Sequence, residues 1–289
     1  MSKTTAKTIA ILAPGAMGSA VARRLSDNGA RVLTSLKGRS EATLKRAADA
    51  GMIGAEDEAI ADADIILSIV PPGEAVALAE RLAGLIARRE KKPVVVDCNA
   101  VNVDTVQRIE QIIGSAQAPF VDGGIIGFPP QPGAKSPAFY LSGEHAKDVA
   151  MLKDFGLDVR IVAGPVGAAS ALKMSYAGIV KGLAGIGSAM VVAATKAGAA
   201  DALRDELALS QPAILARLEV ALPDMLPKAY RWVAEMREIS GFLGPDHPAS
   251  QIYEGFAKWF EHLAADTKGE AVDADLMKAF AASIAKKKA

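Results

Sequence analysis

The sequence predicts an α/β domain built on a parallel sheet, followed by an all-α domain that starts with a long helix. Three observations carry this. Short apolar runs alternate with helical segments from Thr8 to Ile113. Three further short runs follow, ending at Val162, and from Ala168 onward only helical periodicity remains. Strands alternating with helices imply right-handed crossovers and parallel pairing. Continuous apolar runs such as Ile65 to Val70 suit strands covered on both faces.

In order, Thr8 to Leu12 reads as a buried strand, Ala13 to Gly18 as a turn, and Ser19 to Asn28 as a helix closed by Gly29. Arg31 to Ser35 is the next strand, and a helix from Arg39 or Ser40 ends near Gly51. Asp64 to Val70 is a strand stopped by Pro71 and Pro72, and Gly73 to Arg89 is a helix. Pro93 to Asp97 and Val103 to Ile113 repeat the pattern. Phe120 to Asp122, Ala138 to Leu141 and Val159 to Val162 extend the sheet as short strands. Helices are then expected over 169–196, 201–209, 211–222, 227–240, 248–264 and 274–286. Gly164-Pro165-Val166-Gly167 marks the boundary, so the expected domains are 1–166 and 167–289.

The 289 residues are 51% hydrophobic and 23% charged, a globular composition. The formal net charge of +0 offers no basic field for nucleic acid. The one cysteine, Cys98, excludes an intrachain disulfide. Met1 to Lys7 lacks the apolar core of a signal peptide, so a cytoplasmic location is expected. Met174 to Ala194 is apolar enough to resemble a membrane span, but it contains Lys181, which is costly in a bilayer. A buried helix of a soluble protein fits better. Lys286 to Lys288 suits a solvated helix C-terminus.

The first strand runs straight into Ala13-x-Gly15-x-x-Gly18 and then a helix. In the G-x-G-x-x-G turn of Rossmann domains, the second glycine admits a pyrophosphate and the third allows close helix–strand packing. The anion then sits at the helix N-terminus. Here Ala13 replaces the first glycine, and Pro14, Ala16 and Met17 complete the turn. Such domains that take NAD usually carry an acid after the second strand. This chain has Ser35-Leu36-Lys37-Gly38-Arg39-Ser40, with no carboxylate before Glu41. Lys37 and Arg39, with hydroxyls from Ser35 and Ser40, suit a 2′-phosphate, so the expected cofactor is NADP(H).

At this point the chain resembles the β-hydroxyacid dehydrogenases, the family of 3-hydroxyisobutyrate and 6-phosphogluconate dehydrogenases, and more narrowly a branch with a phosphogluconate-dehydrogenase-like C-terminal domain. Gly15-Ala16-Met17-Gly18 matches the family's G-x-M-G. Ser68-Ile69-Val70-Pro71-Pro72 matches the segment flanking the adenosine, and Asp97-Cys98-Asn99-Ala100 falls where the family has D-x-S-T beside the nicotinamide. Asp122-Gly123-Gly124-Ile125-Ile126-Gly127 falls on the substrate-binding D-A-P-V-S-G. Gly164 to Lys173 falls on the glycine-led helix start with the catalytic lysine. The resemblance implies cofactor contacts from Val70, Pro71, Pro72, Asn99 and Ala100. It implies substrate contacts from Gly124, Ile126 and Gly127, hydride transfer on a hydroxy acid or related alcohol or carbonyl, and a substrate cleft completed by the helical domain. Ile126 replaces the family's serine, Asn99 a serine or threonine, and Lys173 lacks the usual following asparagines. These departures point away from the usual small β-hydroxy acids.

Lys173 stands near the start of a long apolar helix, where burial would disfavour its charge and bring its pKa toward neutrality. It is the expected general acid/base. Tyr176 at i+3 is placed to orient the amine or substrate, and Lys181, eight positions on, to depress the Lys173 pKa or bind a substrate anion. His145, His247 and His262 are too scattered for a metal site. Trp232 and Met236 read as helix–helix contacts, and His247 as part of a turn. Imine reduction on the same scaffold, and non-catalytic NADP(H) binding, are the alternatives. Gly178, Gly182 and Gly185 would admit a second helix closely, and a homodimer through the helical domains is expected.

Overall fold

A computed structural model describes residues 7–130 and 135–288. The chain divides into two compact units, Met1–Met174 and Ser175–Ala289.

The first unit is a sheet of eight strands in the order β3-β2-β1-β4-β5-β6-β7-β8. The strands are β1 (Thr8–Leu12), β2 (Arg31–Thr34), β3 (Ile53–Gly54), β4 (Ile65–Ser68), β5 (Val94–Asp97), β6 (Phe120–Ile126), β7 (Ala138–Ser142) and β8 (Asp158–Ile161). β1 to β6 pair in parallel; β7 runs antiparallel to β6 and parallel to β8. The connecting helices are α1 (Ala16–Asp27), α2 (Glu41–Asp49), α3 (Asp57–Ala61), α4 (Ala75–Ile86) and α5 (Val103–Ser115). Two apolar cores, one around Ile9, Leu67 and Phe139 and one around Ala10, Leu82 and Ile109, flank the sheet. Successive residues of β1 thus belong to different cores, which is why the central strands are apolar throughout.

The helix α6 (Ala168–Lys196) passes from the first unit into the second. The division falls inside it, beyond the expected boundary at 166/167, because its first turn is bonded to β6 and β7. The second unit continues with α7 (Ala200–Ser210), α8 (Pro212–Met225), α9 (Ala229–Leu243), α10 (Ser250–Asp266) and α11 (Val272–Lys288). Its core holds Met236, Ile239, Phe260 and Leu263.

Four features depart from the expected elements. β3 and α3 are too short to leave a periodic signal. Glu144–Phe155 forms a 3₁₀ helix, whose eclipsed residues show no 3.6-residue stripe. β6 continues through its glycines to Ile126 rather than ending at Asp122. Gly178, Gly182 and Gly185 face the chain's own α10, since a Cβ on Gly178 would meet the Tyr253 hydroxyl at 2.9 Å and one on Gly185 would meet Phe256 at 2.7 Å. Close approach at these glycines is therefore intrachain. The N-terminal residues 1–6 and the side chains of Lys286 to Lys288 lie outside the described residues.

Candidate active site

The strand order reverses between β1 and β4, and the crevice beyond their C-terminal ends is where open α/β sheets bind ligands. The Gly15–Gly18 turn leaves β1, and Val70, Pro71 and Pro72 leave β4, on the two sides of this switch point. Gly18 has no alternative, because a Cβ there would collide with the Ala13 carbonyl oxygen. Gly15 caps α1 without any side-chain hydrogen bond, and the space its side chain would fill is open. The first-turn N–H groups of Ala16, Met17 and Gly18 therefore lack an intrahelical or capping partner and suit a pyrophosphate. Pro14 adds its carbonyl oxygen, which accepts from Arg46 Nη1 at 3.2 Å.

At the end of β2, Thr34 is buried with its hydroxyl on the Ile11 carbonyl at 2.8 Å. Ser35 is half-buried, whereas Lys37, Gly38, Arg39 and Ser40 are exposed. Ser40 meets Thr43 hydroxyl to hydroxyl at 3.1 Å.

Beyond β5 a buried polar lattice forms. Asn99 Oδ1 accepts from the Val70 N–H at 2.7 Å, and its Nδ2 donates to Ser68 Oγ at 2.8 Å and to Asp97. Its amide thus ties the ends of β4 and β5 together; Ala100 next to it is partly exposed. Asp97 is 2% exposed, and burial pushes its carboxyl up to about 7. The Asn99 N–H opposes that rise, Asp122 adds to it, and Lys173 and Ser68 oppose it. Burial also pushes the Cys98 thiol well above its usual range, so it is neutral and inert.

Lys173, in the second turn of α6, meets this lattice. Its Nζ donates to the carbonyl oxygens of Asn99 at 3.3 Å and Cys98 at 3.5 Å. Burial lowers its pKa, and negative charge at Cys98, Asp97 and Asp122 pulls the other way. With the thiol neutral, that opposing pull rests on the two carboxylates. Gly124 lets β6 pack on this helix: a Cβ there would lie 3.0 Å from the Ala169 carbonyl oxygen and 3.3 Å from Lys173 Cβ. Ile126, two residues on, shares that face of the strand. Gly127 (φ +133°) turns the chain against Pro137, and Phe128 is 75% exposed.

The remaining candidate residues belong to the second unit and are described within it. In the second unit, Tyr176 is 50% exposed. Lys181 forms an ion pair with Glu235 and lies 5.3 Å from the Trp232 ring centre. His247 is exposed in a turn, where its Nδ1 accepts from the Ala249 N–H at 3.2 Å. Among the described residues no cluster of His, Cys, Asp or Glu suits a metal ion. Three contributors escaped the sequence reading: Arg46 beside the phosphate turn, Asp97 as a group of raised pKa, and Asp122, whose carboxylate accepts from the N-terminus of α6. Asp97 and Asp122 stood in the matched segments without a role of their own, Asp122 as a lone acid in an otherwise apolar, glycine-containing strand, and Arg46 left no signal.

A parallel sheet with a glycine turn at its switch point and an uncapped helix start defines a dinucleotide-binding domain of the Rossmann type. The chain belongs to the family described as the NAD binding domain of 6-phosphogluconate dehydrogenase, whose model matches residues 8–157. A second model, a domain of unknown function (DUF1932), matches residues 194–263. A nicotinamide dinucleotide is accordingly the cofactor class of this domain.

An uncharacterized 28.5 kDa protein of Methanothermus fervidus is 32% identical over 178 residues, 61% of this chain and 66% of that protein. Solved structures share the fold. The conserved protein MTH1747, described as structurally similar to 3-hydroxyacid dehydrogenases, superposes with a TM-score of 0.74 at 24% identity over 94% of this chain and 99% of its own. Mycobacterium tuberculosis 3-hydroxyisobutyrate dehydrogenase does so at 0.68 and 19% over 97% and 99%. An imine reductase from Myxococcus stipitatus, in complex with NADP+, does so at 0.58 and 19% over 94% and 96%.

Proposed function

We propose that this protein is an NADP(H)-dependent oxidoreductase that moves hydride between the cofactor and a hydroxy acid or related alcohol or carbonyl, with Lys173 as general acid/base. The observation that carries the reading is the Lys173 amine, partly buried and held against the carbonyls of Cys98 and Asn99 at the end of β5. Such an amine takes the substrate hydroxyl proton as hydride leaves the carbon, or protonates the nascent alkoxide in reduction. The cofactor supplies the hydride acceptor or donor. The uncapped start of α1 would hold its pyrophosphate, and Lys37, Arg39 and Ser40, with Arg46 close to the turn, would meet the 2′-phosphate. The test is a panel of β-hydroxy acids, their keto partners, simple ketones and cyclic imines, run with NADP+ or NADPH. Turnover of alcohol or carbonyl substrates supports the reading. Absence of turnover throughout, with NADPH still bound, would make the chain a non-catalytic NADP(H)-binding protein.

Reduction of a C=N bond is the second reading, favoured by one observation. Ile126, on the Lys173-facing side of β6, offers an apolar surface where the resemblance to the hydroxyacid dehydrogenases implies a serine. Turnover of cyclic imines alone would select it.

The proposed assembly is a homodimer, and the proposed location the cytoplasm. Tyr176, Ile179, Leu183, Ile186 and Met190 recur at three- and four-residue spacing along α6 and are 42–65% exposed, an apolar stripe suited to a second copy of the same helix. By length and composition α6 could also cross a membrane. The Lys181–Glu235 ion pair on its opposite side favours packing within a water-soluble domain. Light scattering on the protein and on Ile179→Glu should show a dimer that the substitution dissociates. A wild-type monomer would refute the assembly.

A further inference from the structure

Asp122 is fully buried in β6, directly across from Asp97 of β5. Its Oδ2 accepts from the N–H groups of Gly167 at 2.9 Å, Ala169 at 3.0 Å and Ser170 at 3.0 Å, and from Ser142 Oγ at 2.9 Å. Its Oδ1 accepts from Ser170 Oγ at 2.6 Å. Ser142 Oγ also accepts from the Ala169 N–H at 3.0 Å. A carboxylate so placed answers the free N–H groups of a helix start and its positive dipole end. What distinguishes this cap is that it reaches α6 from the sheet, 45 or more residues away in sequence. Two residues along the same face of β6, Gly124 allows the strand to touch Ala169 and Lys173. Fully buried, and with five donors on its two oxygens, Asp122 is committed to the fold rather than open to a substrate.

We propose that Asp122 is a positioning residue for Lys173: by clamping the first turn of α6 to the sheet, it sets where the amine stands against the carbonyls of Cys98 and Asn99. Its charge has a second effect. Burial disfavours the ammonium, while Asp97 and Asp122 favour it. The charged or titratable neighbours of this corner are Asp97 and Cys98 at the end of β5, Asp122 on β6, and Glu110 of α5, whose carboxyl burial raises and Asp122 raises further. Asp122 therefore acts on Lys173 twice, through the helix backbone and through its field, without touching the reacting atoms.

The inference rests on Lys173 as the acid–base group, but its test does not use turnover. Lysines are reductively methylated with ¹³C-formaldehyde, the Lys173 signal is identified by its loss in Lys173→Arg, and its titration midpoint is read. Amide hydrogen exchange of residues 167–173 is measured on the same proteins. In Asp122→Asn, exchange in this turn should rise by roughly five- to tenfold, the loss expected for a helix cap. The Lys173 midpoint should move down, because a neighbouring negative charge is gone. Unchanged exchange, or faster exchange with an unmoved midpoint, overturns the proposal. If Asp122→Asn does not fold, the double variant Ser142→Ala/Ser170→Ala keeps the carboxylate and removes two donors. It should raise exchange in the turn and shift the Lys173 methyl resonance, and a wild-type pattern in both refutes the clamp. Should Lys173→Ala instead prove fully active, the catalytic reading fails while these results stand.

Discussion

The phosphate turn after β1 and the Lys173 corner beyond β5 serve one sheet and are built by opposite means. The turn is made of backbone: two glycines, open N–H groups and a helix dipole, all within Ala13–Gly18. The Lys173 corner is made of side chains from five separate segments: Ser68, Asp97 with Asn99, Asp122, Ser142, and Ser170 with Lys173. The first holds a ligand by leaving donors free. The second pairs its buried polar side chains with one another, while the amine itself donates to two backbone carbonyls. A site that binds a fixed anion can be short and local. A site that must tune a proton needs partners from across the fold.

The largest expected effect separates the two directly. Lys173→Ala should lower turnover by roughly 10²–10⁴-fold, the range for losing a positioned general acid–base. NADPH binding should remain, because the phosphate turn lies elsewhere in the unit. The limb of the pH profile that reports the amine should vanish with it. A variant that keeps most of the rate with an unchanged profile would erase the contrast and leave Lys173 a structural residue.

The next effect sharpens the contrast through stability. Asp97 is raised from 3.8 to about 7 in the folded protein. Between those values the folded state holds a proton that the unfolded chain has shed, so stability falls as pH rises through this window and levels off above about 7. The full penalty is about 4 kcal/mol as an upper figure. Asp97→Asn cannot ionise, so its stability should fall less than that of the wild type between pH 4 and pH 8. Urea unfolding at several pH values measures this. Parallel curves for the two proteins would mean that Asp97 is not held neutral by its surroundings.

The same contrast explains what could be read in advance. The glycine turn, the missing acid after β2 and the alternation of strands and helices are local, so sequence reveals them. Lys173 was legible as a lysine in an apolar helix. The lattice that receives it was not, because Asn99 and Val70 lie 29 residues apart, and Asp122 and Ser170 lie 48 apart. Nothing in the spacing announces that they touch. Lys181 illustrates the same limit. Its helical phase is legible, but phase alone does not reveal that Glu235 on another helix pairs with it.

The smallest expected effect lies at the phosphate end. Lys37 and Arg39 are exposed, and no carboxylate precedes Glu41 after β2. An exposed cation meeting a phosphate works against solvent screening, so each contributes modestly. Lys37→Ala and Arg39→Ala should each weaken NADPH binding by roughly tenfold, near the lower end for hydrogen bonds to charged groups. NADH binding should hardly change, since NADH carries a hydroxyl where NADPH has the phosphate. Arg46→Ala serves as the internal comparison. Its guanidinium bonds the Pro14 carbonyl within the turn, so its loss should weaken both cofactors if it steadies the turn, and NADPH alone if it reads the extra phosphate. Fluorescence titration of both cofactors against the three variants decides between these. Equal losses for NADH and NADPH in Lys37→Ala and Arg39→Ala would show that this loop does not select the phosphate, and the NADP(H) assignment would fail with it.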